Sequence, residues 1–316
     1  MAAETAKIAL DPKTEKRIDG SLWRQALRHF SHNRSGIAGL VLISLVVLMA
    51  IFAPLIAPYD PNLPMIGQPG HTGRLPGQAP CIHLLGCPAD QPQHLMGLDL
   101  NARDMFSRVV FGARVSLVVG LSSVVFSIIV GSTLGLISGY GSFWTDNLIM
   151  RSMDVLLAFP SLILAIAIVT VLGPGLQNAL LAIAIVNIPV YARLARAQVL
   201  SLKETEYVLA AQAVGAGDNR ILYMHILPNA LTPLIVQGTL GIAGAVLEAA
   251  ALSFIGLGAQ PPTAEWGAIL SEGRNYVFTS PHLVFFPGIA IMVTVLGFNL
   301  LGDGLRDSLD PRLNKT

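Results

Sequence analysis

KETEYVLAAQAVGAGDNRILYMHILP, residues 203–228, is a polar island between two apolar runs that are each long enough to cross a membrane. Its first half carries Tyr207, Ala210, Ala211 and Val214. That i, i+3, i+4, i+7 spacing gives a short helix one apolar face. Gly215-Ala216-Gly217 breaks the helix, because glycine adopts turn backbone that other residues resist. Asp218 is placed to cap a second short helix, which ends near Pro228 at the mouth of the next apolar run. A helix–glycine–helix elbow with an apolar face, held outside the bilayer, suits a groove on another protein.

The surrounding composition explains why such an island stands out. The chain has 316 residues, 53% hydrophobic and 12% charged, with a mean hydropathy of +0.62. These values place it among membrane proteins. A net charge of +1 gives no bulk attraction to nucleic acid, which is not expected as a partner. A bilayer core of about 30 Å takes roughly 20 apolar helical residues to cross. Six spans are expected, at 36–58, 115–138, 153–172, 176–195, 231–256 and 283–302, so the fold class is an all-α polytopic membrane protein. Pro160, Pro189 and Pro287 fall inside these spans, where neighbouring helices can satisfy the freed carbonyls.

The first apolar run begins only at Gly36, and no small-residue cleavage site follows it, so it reads as a retained span. Residues 1–35 divide into a disordered tail and an amphipathic segment at 19–34. In that segment Leu22, Trp23, Leu27 and Phe30 face lipid, and Arg24, Arg28 and Arg34 lie elsewhere. A loop at 59–114 follows the first span. A core of spans then occupies 115–302, interrupted by the elbow at 203–228, and a tail closes the chain at 303–316.

Lys/Arg bias sets the orientation. With the N-terminus inside, Arg74, Arg103, Arg108, Arg114 and Arg274 lie outside, and the remaining Lys and Arg of the total of 20 lie inside. Both termini and the elbow are then cytoplasmic. The loop 59–114 is extracytoplasmic and holds both cysteines, Cys81 and Cys87. Outside is where disulfides persist, so a bond closing CIHLLGC stands as one reading and two free thiols as the other. A metal site with His83 is a third, on a spacing that is not a standard zinc pattern.

Span two carries Gly131, Gly135 and Gly139, a small-xxx-small run that lets helix backbones approach closely. It reads as packing or as a surface on which helices slide. Glu248 is the exceptional charge inside a span. Intramembrane ionisable groups are costly and usually face protein interior or a wet cavity. One reading puts Glu248 beside a translocation path, and the other makes it a hydrogen-bonded packing residue. Asp154 is expected to pair with Arg151, one turn back. No P-loop, HExxH, CxxC or GxSxG pattern is present, so no catalytic residues, cofactor site or metal site are assigned.

Glu206–Pro228, with Leu209-Ala210-Ala211, Gly215 and His225-Ile226-Leu227-Pro228-Asn229, resembles the EAA loop of ABC-importer permeases. Gly215, Ala216, Asp218, Ile221 and His225–Asn229 match the peptide-importer branch, while Leu209 stands where the motif's Glu is expected. Three further blocks resemble the same branch: Met96–Leu117, Leu252–Gly267 and Asn299–Pro311. Within the first of these, Leu98 and Ala102 replace the usual Thr and Gly. The pattern is most similar to the second permease subunit of dipeptide and oligopeptide importers, and glutathione and nickel importers share much of it.

The resemblance implies a type I importer permease fold in the cytoplasmic (inner) membrane of a bacterium. The chain would form half of a path for dipeptides or short oligopeptides. Its implied partners are a homologous second permease, two ATPase subunits that bind ATP and Mg, an extracytoplasmic peptide-binding protein, and membrane lipid. Glu206, Tyr207, Ala210, Ala211, Val214, Gly215, Asp218, His225 and Pro228 form the expected ATPase-coupling loop. Glu248 is the path candidate. Asp99, Arg103, Asp104, Arg108, Gln260 and Trp266 are candidates for an outer gate or a binding-protein contact. Trp266 is alternatively an interfacial anchor. Nickel, glutathione or an opine are alternative cargoes. An ion-coupled secondary transporter is the rival class; it would place ionisable groups near the midplane, and only Glu248 fits.

Overall fold

Long apolar runs that satisfy their own backbone hydrogen bonds become helices, the open-chain structure a bilayer tolerates. The structure, a computed structural model, describes residues 28–68, 71 and 76–309. Its helices are α1 (Arg34–Ile51), α2 (Ala53–Ile56), α3 (Met105–Tyr140), α4 (Phe143–Leu157), α5 (Ser161–Leu172), α6 (Leu176–Leu202), α7 (Glu206–Ala213), α8 (Leu227–Phe254), α9 (Trp266–Gly273) and α10 (His282–Leu309). Five helices, α1, α3, α6, α8 with its lead-in, and α10, are long and apolar enough to cross a membrane. No strand occurs among the described residues. The amphipathic segment expected at 19–34 and the C-terminal Lys and Arg residues fall mostly outside the described residues.

The third expected span, 153–172, is not one helix. It is the bent pair α4 and α5, whose axes turn through 93° at the break. Pro160 causes the stop, since the residue before a proline is pushed out of the helical region and Pro160 itself takes extended backbone before α5. Hydropathy does not register that turn. Pro189 and Pro287, by contrast, do sit inside continuous helices.

α3 and α6 form the tightest helix pair. The glycine run faces α6: a Cβ on Gly131 would meet the Ile188 carbonyl oxygen at 2.6 Å, and one on Gly139 would meet Val199 Cβ at 2.7 Å. Side chains there would force the two backbones apart, so these glycines serve close packing. Val124, Ile183, Leu234, Val246 and Leu252 are buried between α3, α6 and α8 as the main apolar core. α1 lies against α10 and contributes Ile43 to the edge of this core. Asn33 caps α1 by accepting from the Gly36 amide at 3.0 Å and donates to Asp307 in the last turns of α10 at 3.1 Å.

One end of the bundle carries the elbow, and the other carries the loops 57–104 and 255–281. At the elbow end, Asp146 on α4 receives both a 2.6 Å bond from Nε and a 2.6 Å bond from an Nη of Arg196 on α6. Asp154 pairs with Arg193 of α6 at 2.6 Å rather than with Arg151. The cause is the antiparallel course of α4 beside α6, which brings a residue far along the chain closer than the one a turn away.

Candidate functional site: the elbow, the buried loop-end cluster and Glu248

The elbow forms where a short amphipathic segment meets glycine. α7 covers Glu206–Ala213, and Gly215 follows with φ +82°, backbone that a side chain resists. Val208 points inward and joins Ile221, Ile226, Leu136 and Val199 in a small buried cluster that anchors the elbow to α3 and α6. The expected apolar stripe is the uncovered face: Tyr207 is 42% exposed and Val214 86%, with Ala210 also exposed and Ala211 half-buried. Leu209, outside that stripe, is 50% exposed beside it. Tyr223 and Met224 extend this face beyond the turn.

Two details of the elbow differ from expectation. Asp218 does not cap the second helix. Gly217 occupies that position, and Asp218 lies in the first turn, accepting a 3.0 Å bond from Tyr140 Oη at the end of α3. Nor does the second helix end near Pro228. A π-helix over Ile221–Ile226 carries it straight into α8. The wider π turn accommodates a proline that has no N–H to give. Asn229 Nδ2 donates to the His225 carbonyl at 2.7 Å, and Tyr207 Oη lies 3.4 Å from the same oxygen. The elbow is therefore stapled to the start of α8.

At the loop end, charges gather in a buried cluster. Asp104 caps α3, accepting from the Ser107 amide and hydroxyl at 2.7 Å each, and its other oxygen meets His94 Nδ1 at 2.8 Å. Arg103 Nε donates to Asp99 at 2.6 Å, and one of its Nη atoms donates to Glu272 of α9 at 2.9 Å. Arg108 Nε lies 3.2 Å from Asp99. Asp99, Arg103, Asp104 and Arg108 are each at most 4% exposed. Buried ions persist where they are paired, and these pairs tie the start of α3 to α9. Their side chains consequently face the protein's own interior.

Trp266 is not an interfacial anchor. It is fully buried, and its indole Nε1 donates to the Val109 carbonyl at 2.9 Å. Gly112 leaves the space for the ring, since a Cβ there would lie 2.6 Å from Trp266 Cδ1. Glu265 beside it caps α9, accepting from the Ala268 amide at 2.9 Å and from Ser116 Oγ at 3.1 Å. Burial pushes its carboxyl pKa up, and bonds from the Gly267 amide, Ser253, the Ala268 amide and Ser116 oppose the rise. Gln260 is the one exposed member of the outer candidates, its amide donating to the Gly256 and Gly258 carbonyls at 3.0 Å.

Cys81 and Cys87 are joined by a disulfide, with their Cα atoms 5.3 Å apart, so neither supplies a thiolate for a metal. His83 bonds the Gln91 carbonyl at 2.7 Å. The closed loop holds Leu84 (94% exposed) and Leu85 (79%) outward. Among the described residues no cluster of His, Cys, Asp or Glu could hold a metal ion.

Glu248 sits half-buried on α8. It receives a 3.1 Å bond from Asn187 Nδ2 of α6 and a hydrogen bond from Ser161, the first residue of α5 after the sharp break. Three helices therefore meet at this carboxylate. Sequence reading missed Asn187, Ser161, His94 and Glu272. Asn187, Ser161 and Glu272 act through partners distant in sequence, and His94 through a loop fold ten residues long, so no spacing rule connects them.

Residues 131–315 match the family described as binding-protein-dependent transport system inner membrane component, and residues 21–75 match the N-terminal TM domain of oligopeptide transport permease C. The chain belongs to this family of importer permeases. It is 49% identical to the dipeptide transport system permease protein DppC of Alkalihalophilus pseudofirmus over 93% of this chain and 91% of that one. It is 48% identical to the di/tripeptide transport system permease protein DppC of Pseudomonas aeruginosa, over 90% of each. It is 42% identical to the glutathione transport system permease protein GsiD of Pectobacterium atrosepticum, over 98% of this chain and 97% of that one. A chain of the MetNI methionine ABC transporter in an inward-facing conformation superposes with a TM-score of 0.53 at 20% identity, covering 65% of this chain and 97% of that one. That likeness shows the shared fold.

Proposed function

We propose that this chain is one of two permease subunits in an ATP-driven importer and forms half of the path for dipeptides or short oligopeptides. The uncovered apolar face of the elbow carries the reading. Tyr207, Leu209, Ala210 and Val214 leave the membrane bundle with an unsatisfied hydrophobic surface, which fits a groove on an ATPase subunit. ATP and Mg then reside on two partner ATPases, and this chain binds neither. Its other partners are a homologous permease and an extracytoplasmic peptide-binding protein. Both termini lie in the cytoplasm, and the loop 59–114 faces the binding protein.

The staple from Tyr207 and Asn229 to the His225 carbonyl transmits movement of the ATPases to α8. α8 carries Glu248, which bridges to α6 and α5, so the stroke reaches the broken span. The buried pairs of Asp99, Arg103, Asp104 and Arg108 hold the outer end of α3 rigid during that stroke. Gln260 and the projecting Leu84 and Leu85 are among the exposed loop-end groups available to a binding protein.

Glutathione, itself a tripeptide, is the second reading, favoured by relatives of that name over nearly the whole chain. Cells lacking the subunit separate the two. Labelled dipeptide uptake is expected to fall to background and to return with the gene, while glutathione uptake is unchanged. Loss of glutathione uptake alone would reverse the assignment. Uptake that survives ATP depletion but not collapse of the proton gradient would instead establish the ion-coupled class.

A further inference from the structure

A groove of about 490 Å³ opens between α1 and α3 on the outer flank of the bundle. Its floor is Ile43, Ala50 and Phe298, all buried. Its walls are Val47, Val118 and Leu121, all exposed along the groove. The lining residues on α3 are Arg114, Leu117, Val118 and Leu121, one i, i+3, i+4, i+7 stripe, so the groove runs along the helix axes for roughly 10 Å. α1 and α3 run in opposite directions. Arg114 therefore stands at the loop end of the groove, beside Ile51 in the last turn of α1, and Leu121 lies deeper, toward Ile43.

Arg114 is exposed and has no hydrogen-bond or ion-pair partner among the described residues. Its neighbours Arg103 and Arg108 are both paired with carboxylates, which makes the contrast local. A guanidinium at the rim of an apolar groove in a spanning helix requires an anion or a path to the interface. Its planar fork of donors matches phosphate oxygens. Free phosphate has no use for the apolar walls, and a partner helix would need to bring a buried carboxylate. A lipid supplies both parts together: chains for the groove and an anion at headgroup depth.

We propose that the α1–α3 groove is a binding site for a glycerophospholipid of the loop-side leaflet, with an acyl chain between Val47 and Val118 and the phosphate on Arg114. The bound lipid fills the open part of the seam between α1 and α3. It adds to the packing by which Val46 and Ala50 of α1 are already buried in one cluster with Met105, Val109 and Ala113 of α3.

The test uses the assembled transporter in nanodiscs of phosphatidylethanolamine and phosphatidylglycerol. A bimane fluorophore on Val118→Cys reports quenching by a phospholipid with a doxyl-labelled chain, and native mass spectrometry reports lipid retained after detergent extraction. Strong quenching and retained phospholipid are expected. Arg114→Gln should lower retention about tenfold, the factor appropriate to losing a charge-assisted hydrogen bond. Arg114→Lys should keep most of it, and Ala50→Phe should expel the chain with Arg114 intact. Absence of quenching means that protein covers the groove and overturns the proposal. Retention and quenching unchanged in both Arg114→Gln and Ala50→Phe reduce the contact to bulk lipid and overturn it equally.

Discussion

Trp266 and Glu248 show how differently single residues serve a membrane subunit. Trp266 fills a slot made by Gly112 and fixes α9 against α3 through the Val109 carbonyl. Its truncation leaves a cavity at a site with little freedom to collapse. Trp266→Ala is expected to destabilise the protein by about 3–5 kcal/mol, within the range for large core truncations, and to lower its melting temperature in detergent. An unchanged melting temperature would show that the slot is not a stability element. Glu248 belongs to the opposite category. It is half-buried and hydrogen-bonded by Asn187 and Ser161, so replacing it disturbs a junction of helices rather than a packed core. Glu248→Ala is expected to reduce peptide uptake about tenfold or more with assembly intact, since both donors lose their acceptor. Transport at the normal rate in that variant would remove Glu248 from the mechanism.

Among the elements, the elbow has one surface turned inward and another left bare. Val208, Ile221 and Ile226 bury themselves against Leu136 and Val199, so the elbow holds its shape without a partner. The exposed face is free for docking, and Gly215 at φ +82° keeps the corner tight. A side chain there would be strained by about 1–3 kcal/mol and would stand in the docking surface. Gly215→Arg is expected to abolish transport while the protein stays in the membrane at normal abundance. Normal uptake by that variant would end the docking role. Much of this element was legible from Tyr207, Ala210, Ala211 and Val214, because helical period is a local property. The passage from elbow to α8 was not, because a π-helix leaves no periodic trace and Pro228 reads as a terminator. The α4–α5 break escaped for a related reason: Pro160 is apolar, so a hydropathy window passes over it.

At the scale of the whole molecule, the two ends of the bundle divide the labour. The loop end is locked by Asp99, Arg103, Arg108 and Glu272; Arg103 and Glu272 are separated by 169 positions, which sequence spacing could not join. The elbow end carries the exposed apolar face and the pairs Asp146–Arg196 and Asp154–Arg193. Five of the six expected spans were legible because bilayer thickness dictates their length, whereas the third is the bent pair α4–α5, and the mutual contacts of all of them depend on which helix lies beside which. Lys/Arg bias predicts the elbow in the cytoplasm, where an ATPase would reach it, and the disulfide-closed loop outside, where oxidation is maintained. Single cysteines in a Cys81→Ser/Cys87→Ser background report this directly. In intact spheroplasts a membrane-impermeant maleimide should label Leu84→Cys, which is 94% exposed in the native loop. It should reach Val214→Cys, where the native side chain is 86% exposed, only after permeabilisation. The reverse pattern would invert the protein and leave the elbow no access to ATP-binding subunits, so this one experiment decides whether the coupling reading is geometrically available.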